Sequence, residues 1–181
     1  MMNDPLSLYE KASDWTSSKI AGAKDQLDAQ TACEEWTARD LVNHLLLGEE
    51  IFVGAAEGRP PAGPPEGKPS EKLNDRDPVE AFEGVRHAVL GAFGKEGVLD
   101  NPQVQMLAGI AFVDTLMHGW DLAKGTGQDA TMPEGLAEAA YGVVGGQLTA
   151  ERRGKVFKPE VSVGADASAQ DRLVAYLGRQ P

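Results

Sequence analysis

The chain has 181 residues, of which 41% are hydrophobic and 25% charged, with a formal net charge of −11; this suits one soluble globular domain, or one domain with a small appendage, able to bury a core. The acidic balance disfavours nucleic acid and anionic membrane surfaces as partners, because both are bound through Lys and Arg. A single cysteine, Cys33, excludes an internal disulfide framework and a Cys-rich zinc finger, so metal ligands are sought among His and carboxylate.

The N-terminal residues MMNDPLSLYEK lack a basic segment followed by an apolar one, and no apolar run approaches about 18 residues, so a cytoplasmic protein is expected. From Asn3 to Ala23, Leu8, Ala12, Trp15 and Lys19 or Ile20 recur at helical spacing, with Asp4 as cap and Pro5 at the first position. Thr37 and Asp40 in WTARD form a capping box for a second helix reaching about Ala56, which carries Leu41, His44, Leu45, Gly48 and Phe52 on one side. Four prolines in GRPPAGPPEGK then rule out helix and strand. The connector runs on to about Asp77, and a loop that long in a helix bundle serves as a crossover that lets successive helices run parallel.

Pro78 opens a third helix with Val79, Phe82, Val85, Arg86, Val89 and Phe93 in register. A fourth runs from about Pro102 to Lys124 and is stopped by Gly125 or Gly127. A fifth, in EGLAEAAYGVVGGQL, is weakened by Gly142, Gly145 and Gly146. VSV at 161–163 alternates like a short strand, and Ser168 with Asp171 caps a terminal helix ending at Gly178. The expected fold is all-α: a four-helix bundle over 1–150 with a small C-terminal α/β addition over 151–181.

The fourth helix contains the unusual stretch FVDTLMHGWDLAKGTG. At about 100° per residue, Asp114, His118 and Asp121 share one face, and extending it backwards adds Leu107, Ile110 and Ala111, a stripe expected to begin as core. Ionised groups on such a face need a partner. His118 one turn after Asp114 is the spacing by which a helix offers two ligands to one metal, and His44 is the other histidine on an interior face. Two imidazoles and one carboxylate leave a coordination position open, as in catalytic zinc and non-haem iron sites. Asp121 is placed behind them, accepting the imidazole N–H that the metal does not use. A plainer reading of the same residues is a satisfied core histidine beside an i,i+4 pair worth a few tenths of a kcal/mol, and spacing alone leaves both open. His87, next to Arg86, is assigned to a solvated face, Cys33 to a small core position, and Trp36 and Trp120 to packing. Arg152, Arg153 and Lys155 form a basic cluster, either plain surface or a contact for an anionic substrate.

CEEWTARDLVNHLLLGEEIF resembles the second helix of the DinB-like metal-binding bundles, in the branch that includes the N-terminal domain of mycothiol-dependent maleylpyruvate isomerase. DTLMHGWDLAKGTG is similar to that branch's second metal motif, and VSVGADASAQDRLVAYLGRQP to the tail of its short actinobacterial members. The resemblance implies that His44 and His118 are metal ligands, and that Asp114 stands where the isomerase has a glutamate longer by one methylene. Asp121 falls in the H-x-x-D-L pattern. The isomerase carries a larger C-terminal domain than this chain can hold, so the same substrate does not follow. The expectation is a divalent metal, zinc with iron, nickel and manganese as alternatives, and an enzyme that transfers or isomerises with a small thiol, mycothiol being implied as co-substrate, and a small electrophile. A non-enzymatic metal-binding or structural bundle and a metal-dependent hydrolase are the alternatives, and a homodimer stays open.

Overall fold

The structure, a computed structural model, describes residues 4–33, 35–59, 67–149, 153 and 157–181. These form two compact units, Met1–Ala130 and Thr131–Pro181. The fifth helix thus groups with the C-terminal segment, whereas the sequence placed the boundary at 150/151. The described residues are all-α, without a strand; Gln30 and Thr37 make an isolated antiparallel bridge. Among them no helix is long and apolar enough to cross a membrane.

The first unit holds α1 (Pro5–Ala23), α2 (Ala38–Ala56), α3 (Pro78–Phe93) and α4 (Pro102–Gly125), with a 3-10 turn at Val98–Asp100 before α4. Each helix starts where local chemistry dictates. Asp4, Asp77 and Asn101 cap α1, α3 and α4, each ahead of a proline in the first turn, because proline has no N–H to leave unsatisfied there. Thr37 and Asp40 form the reciprocal capping box that starts α2. Helix α1 packs on α4 and α3, and α2 on α3 and α4. Ile20, Leu41, Leu45, Leu46, Phe82 and Leu122 interlock in the shared core, each contributing roughly 1.5–3 kcal/mol by burial.

Residues 60–66 of the proline-rich connector lie outside the described residues. Its later part returns to the beginning of α2: Lys68 pairs with Asp40 at 3.1 Å, and Asn43 Oδ1 accepts from Lys72 N and Leu73 N at 2.9 and 2.8 Å. This starts α3 from the same end as α2. Arg86, expected among the apolar residues of α3, is indeed buried, because its charge is matched: it donates to Ser13 at 2.9 Å, Glu83 at 3.0 Å and Asp14 at 3.3 Å. Glu83 also accepts from Ser17 at 2.6 Å, tying α3 to α1. Burial works to raise the Glu83 carboxyl, but hydrogen bonds from Ser17 and Arg86 and the charges of Arg86 and His87 hold it below its usual value of 4.5.

Helix α4 is buried around most of its circumference from Ala108 to Ala123. Its first turn and a half is not, so the backward extension of the polar stripe needs correction: Ala111 is buried, but Leu107 is half-buried and Ile110 is exposed. At its other end α4 runs against the α1–α2 loop, and a Cβ on Gly125 would meet Gln30 O and Thr31 Cα, both at 2.6 Å.

In the second unit, α5 (Leu136–Val144) packs on α6 (Ala169–Tyr176), capped by Ser168. The Tyr176 hydroxyl donates to Val144 O at 3.1 Å and accepts from Leu148 N at 3.2 Å. The expected strand at 161–163 is absent. Val161 N donates to Ala175 O, a single bond to the end of a helix, and no neighbouring strand offers the ladder that a strand requires. Of the basic cluster, Arg152 and Lys155 lie outside the described residues. Arg153 is committed within its own unit, donating to Tyr176 O at 2.7 Å and stacking on the Tyr176 ring at 4.7 Å.

Two stability outcomes follow. Gly125→Ala destabilises by about 1–3 kcal/mol in urea unfolding, while Gly84→Ala, exposed in α3 with nothing near its Cβ position, stabilises by about 0.5–1 kcal/mol; equal effects would contradict the close approach. Glu83→Gln costs on the order of 1 kcal/mol at neutral pH. Since the folded carboxyl lies below its unfolded value, that contribution is complete above 4.5 and disappears as pH falls through the folded value. A difference independent of pH would contradict this origin.

Candidate metal centre

Helix α4 brings Asp114, His118 and Asp121 onto one face, and α2 brings His44 opposite them. Asp114 lies between the imidazoles. Its Oδ1 is 3.4 Å from His118 Nε2 and its Oδ2 is 3.5 Å from His44 Nε2. The rings meet edge to face with centroids 4.6 Å apart. One donor atom from each of His44, Asp114 and His118 lies within 4.8 Å of the others. Gly48, one turn after His44, keeps this wall of α2 thin: a Cβ there would come 3.8 Å from Asp114 Oδ2.

Asp121 is fully buried, and its Oδ2 faces His118 Nδ1 at 3.1 Å. The nitrogen of His118 that faces Asp114 is therefore Nε2, while Nδ1 is tied behind. Burial works against charge on both partners of the Asp114–His118 pair, but their mutual attraction wins. Asp114 is held well below the usual carboxylate range by His118 and His44, and His118 is raised well above the usual imidazole value by Asp114, with Asp121 and Cys33 adding hydrogen bonds. The Asp114 side chain keeps 29% of its exposure against 10% for His118, so the carboxylate marks the open side of the cluster.

The α1–α2 loop supplies two side chains that sequence reasoning placed only as packing. It is closed by Thr31 N and Thr31 Oγ1 donating to Trp36 O at 3.2 and 2.8 Å, and by Ala38 N donating to Ala29 O at 2.9 Å. Trp36 is thereby held with its ring centroid 4.9 Å from that of His44 and 6.0 Å from that of His118. Cys33 Sγ donates to Asp121 Oδ2 at 3.3 Å. No spacing rule links Cys33 to a residue 88 positions later; the available signal was the short interval between Cys33 and the capping box at Thr37, which obliges the loop to cross the start of α2. His87 stays outside the cluster, its side chain 69% exposed, as expected for a solvated face.

His44 supplies the test of whether these residues suit a cation. Both its ring nitrogens are buried and have no hydrogen-bond partner among the described residues; the Asp114 contact is close enough for charge attraction but lacks hydrogen-bond geometry. A buried polar atom left so costs about 1–3 kcal/mol. A divalent cation among two imidazoles and a carboxylate would satisfy one of the two His44 nitrogens and suits the donor set.

Residues 12–123, the span holding every residue of the cluster, match the family described as mycothiol maleylpyruvate isomerase N-terminal domain. Two proteins of Mycobacterium tuberculosis, both described as uncharacterized, one from strain CDC 1551 / Oshkosh and one from strain ATCC 25618 / H37Rv, are each 32% identical to the chain over 187 residues, covering 97% of it and 98% of their own length. No solved structure matches significantly. The chain belongs to the mycothiol maleylpyruvate isomerase N-terminal domain family.

Proposed function

We propose that this protein is a divalent-metal-dependent enzyme of the thiol-transferase or thiol-dependent isomerase class, built on a DinB-like four-helix bundle. His44, Asp114 and His118 hold the metal, zinc being the first choice, and the thiol is of the mycothiol type. The observation that carries this reading is the convergence of the His44, Asp114 and His118 donor atoms, with both His44 nitrogens buried and without a hydrogen-bond partner among the described residues. Family membership supports the thiol.

When bound, the cation acts as a Lewis acid that favours the thiolate form of a coordinated thiol. The chain's own groups do the rest. Asp121 accepts from His118 Nδ1 and so keeps Nε2 turned toward the ligand cluster. The Asp114 carboxylate supplies the negative charge of the donor set, 3.4 Å from His118 Nε2 and 3.5 Å from His44 Nε2. Trp36 covers the rings from the loop side, which keeps water from that face and leaves the Asp114 side as the approach. This protection strengthens the attraction of the site for an anionic sulfur. Three protein donors rather than four favour chemistry over a purely structural role, since closed structural sites use all four positions.

Metal-replete protein is expected to consume a small electrophile only when a low-molecular-weight thiol is added. Loss of a group behind a ligand already costs about 10–100-fold, so His44→Ala should reduce the rate at least about 100-fold while far-UV circular dichroism stays native. Consumption without thiol would replace this reading with hydrolysis. Absence of consumption across a broad panel would reject the enzyme.

A further inference from the structure

His118 has two ring nitrogens, and each faces a different set of potential metal ligands. Nε2 points into the cluster with Asp114 and His44. On the other side, Cys33, His118 and Asp121 form a second group whose donor atoms lie within 4.8 Å of one another. Its members are held by different elements, Cys33 by the closed α1–α2 loop and the other two by α4. His118 and Asp121 keep 10% and 0% of their side-chain exposure. Asp121 Oδ2 receives hydrogen bonds from both Cys33 Sγ, at 3.3 Å, and His118 Nδ1, at 3.1 Å. Two donor hydrogens thus converge on one buried carboxylate oxygen.

We propose that Cys33, His118 Nδ1 and Asp121 form a second divalent-cation site, one for ions more thiophilic than zinc, such as cadmium, and that it excludes occupation of the His44 site in the same chain. Thiolate, imidazole and carboxylate give two negative charges, which neutralise a divalent ion in a buried place. The His44, Asp114 and His118 set supplies one, and its nitrogen- and oxygen-only donors suit harder ions better. Entry of the cation beside Cys33 displaces the Sγ–H and Nδ1–H protons to solvent, and the proton on Nε2 remains directed at Asp114 Oδ1, 3.4 Å away. Entry at the other set displaces the Nε2 proton and leaves Nδ1–H with Asp121. A neutral imidazole keeps one proton and offers one nitrogen, so His118 serves one site at a time. No oxidation or reduction occurs. The softness of the metal, and not affinity alone, then decides whether Asp121 supports a ligand or becomes one.

The exclusion rests on the assignment of His44, Asp114 and His118 as ligands; the Cys33 site does not. The test is titration of the reduced full-length chain with Cd2+ alone, followed by near-ultraviolet absorption and equilibrium dialysis, on wild type, His44→Ala, Cys33→Ser and Cys33→Ala. Wild type is expected to take one Cd2+ per chain with a thiolate-to-cadmium charge-transfer band. His44→Ala keeps the ion and the band. Both Cys33 variants lose the band and still bind one ion through the His44 set. Natively folded His44→Ala that binds no Cd2+, or binds it without the band, overturns the Cys33 site. Two ions per wild-type chain overturn the exclusion. If both Cys33 variants bind nothing while His44→Ala keeps its band, the Cys33 site stands, and the assignment of His44 as a ligand is what fails.

Discussion

The structure depends on a carboxylate held between two imidazoles in a place where most of the helix carrying it has no access to water. Helix α4 is enclosed on nearly all sides from Ala108 to Ala123, and Asp114, His118 and Asp121 lie on one line along it. Charge buried this way is tolerated because every group has a counterpart: Asp114 faces His118 and His44, and Asp121 faces His118 and Cys33. His44 is the member whose nitrogens lack a hydrogen bond among the described residues. In a self-contained polar network every donor and acceptor would already be used; here the His44 nitrogens are left over beside donor atoms that could hold a metal ion.

The rest of the fold serves this line by controlling how closely other elements approach α4. At Gly119, between His118 and Trp120, a Cβ would collide with Thr16 of α1, and Thr16 Oγ1 donates to Thr115 O at 2.9 Å. At Gly125 the backbone of the α1–α2 loop comes into direct contact. The first approach fixes α4 against α1 beside the site. The second seats the loop that carries Cys33 and Trp36. Glycine is needed at both positions for space, not for an unusual backbone angle, and a change at either would move groups that touch the imidazoles without touching them itself.

Much of this was legible in the sequence because local rules govern it. Helix starts at Asp4, Thr37, Asp77 and Asn101 are written in cap residues and adjacent prolines, and the common face of Asp114, His118 and Asp121 follows from helical periodicity. His44 could be matched to them because so few histidines compete for the role. What failed depended on distant packing. The alternation in VSV suggested a strand, but a strand exists only if another pairs with it, and here the backbone of Val161 bonds to the end of α6. Ile110 fits the helical stripe yet is exposed, because periodicity gives direction around a helix and not how far neighbours extend along it. Cys33 and Trp36 were read as core residues for the same reason: their partners lie on another helix, and only the closure of the loop brings them there.

Anomalous X-ray scattering from crystals grown with Zn2+, measured on both sides of the zinc edge, tests the central claim most directly. The account predicts a peak within about 2.0–2.2 Å of a ring nitrogen of His118, with the His44 imidazole and the Asp114 carboxylate, and not the Cys33 sulfur and the Asp121 carboxylate, completing its coordination. A peak away from His118, or none in crystals shown to contain the metal-replete protein, would contradict it.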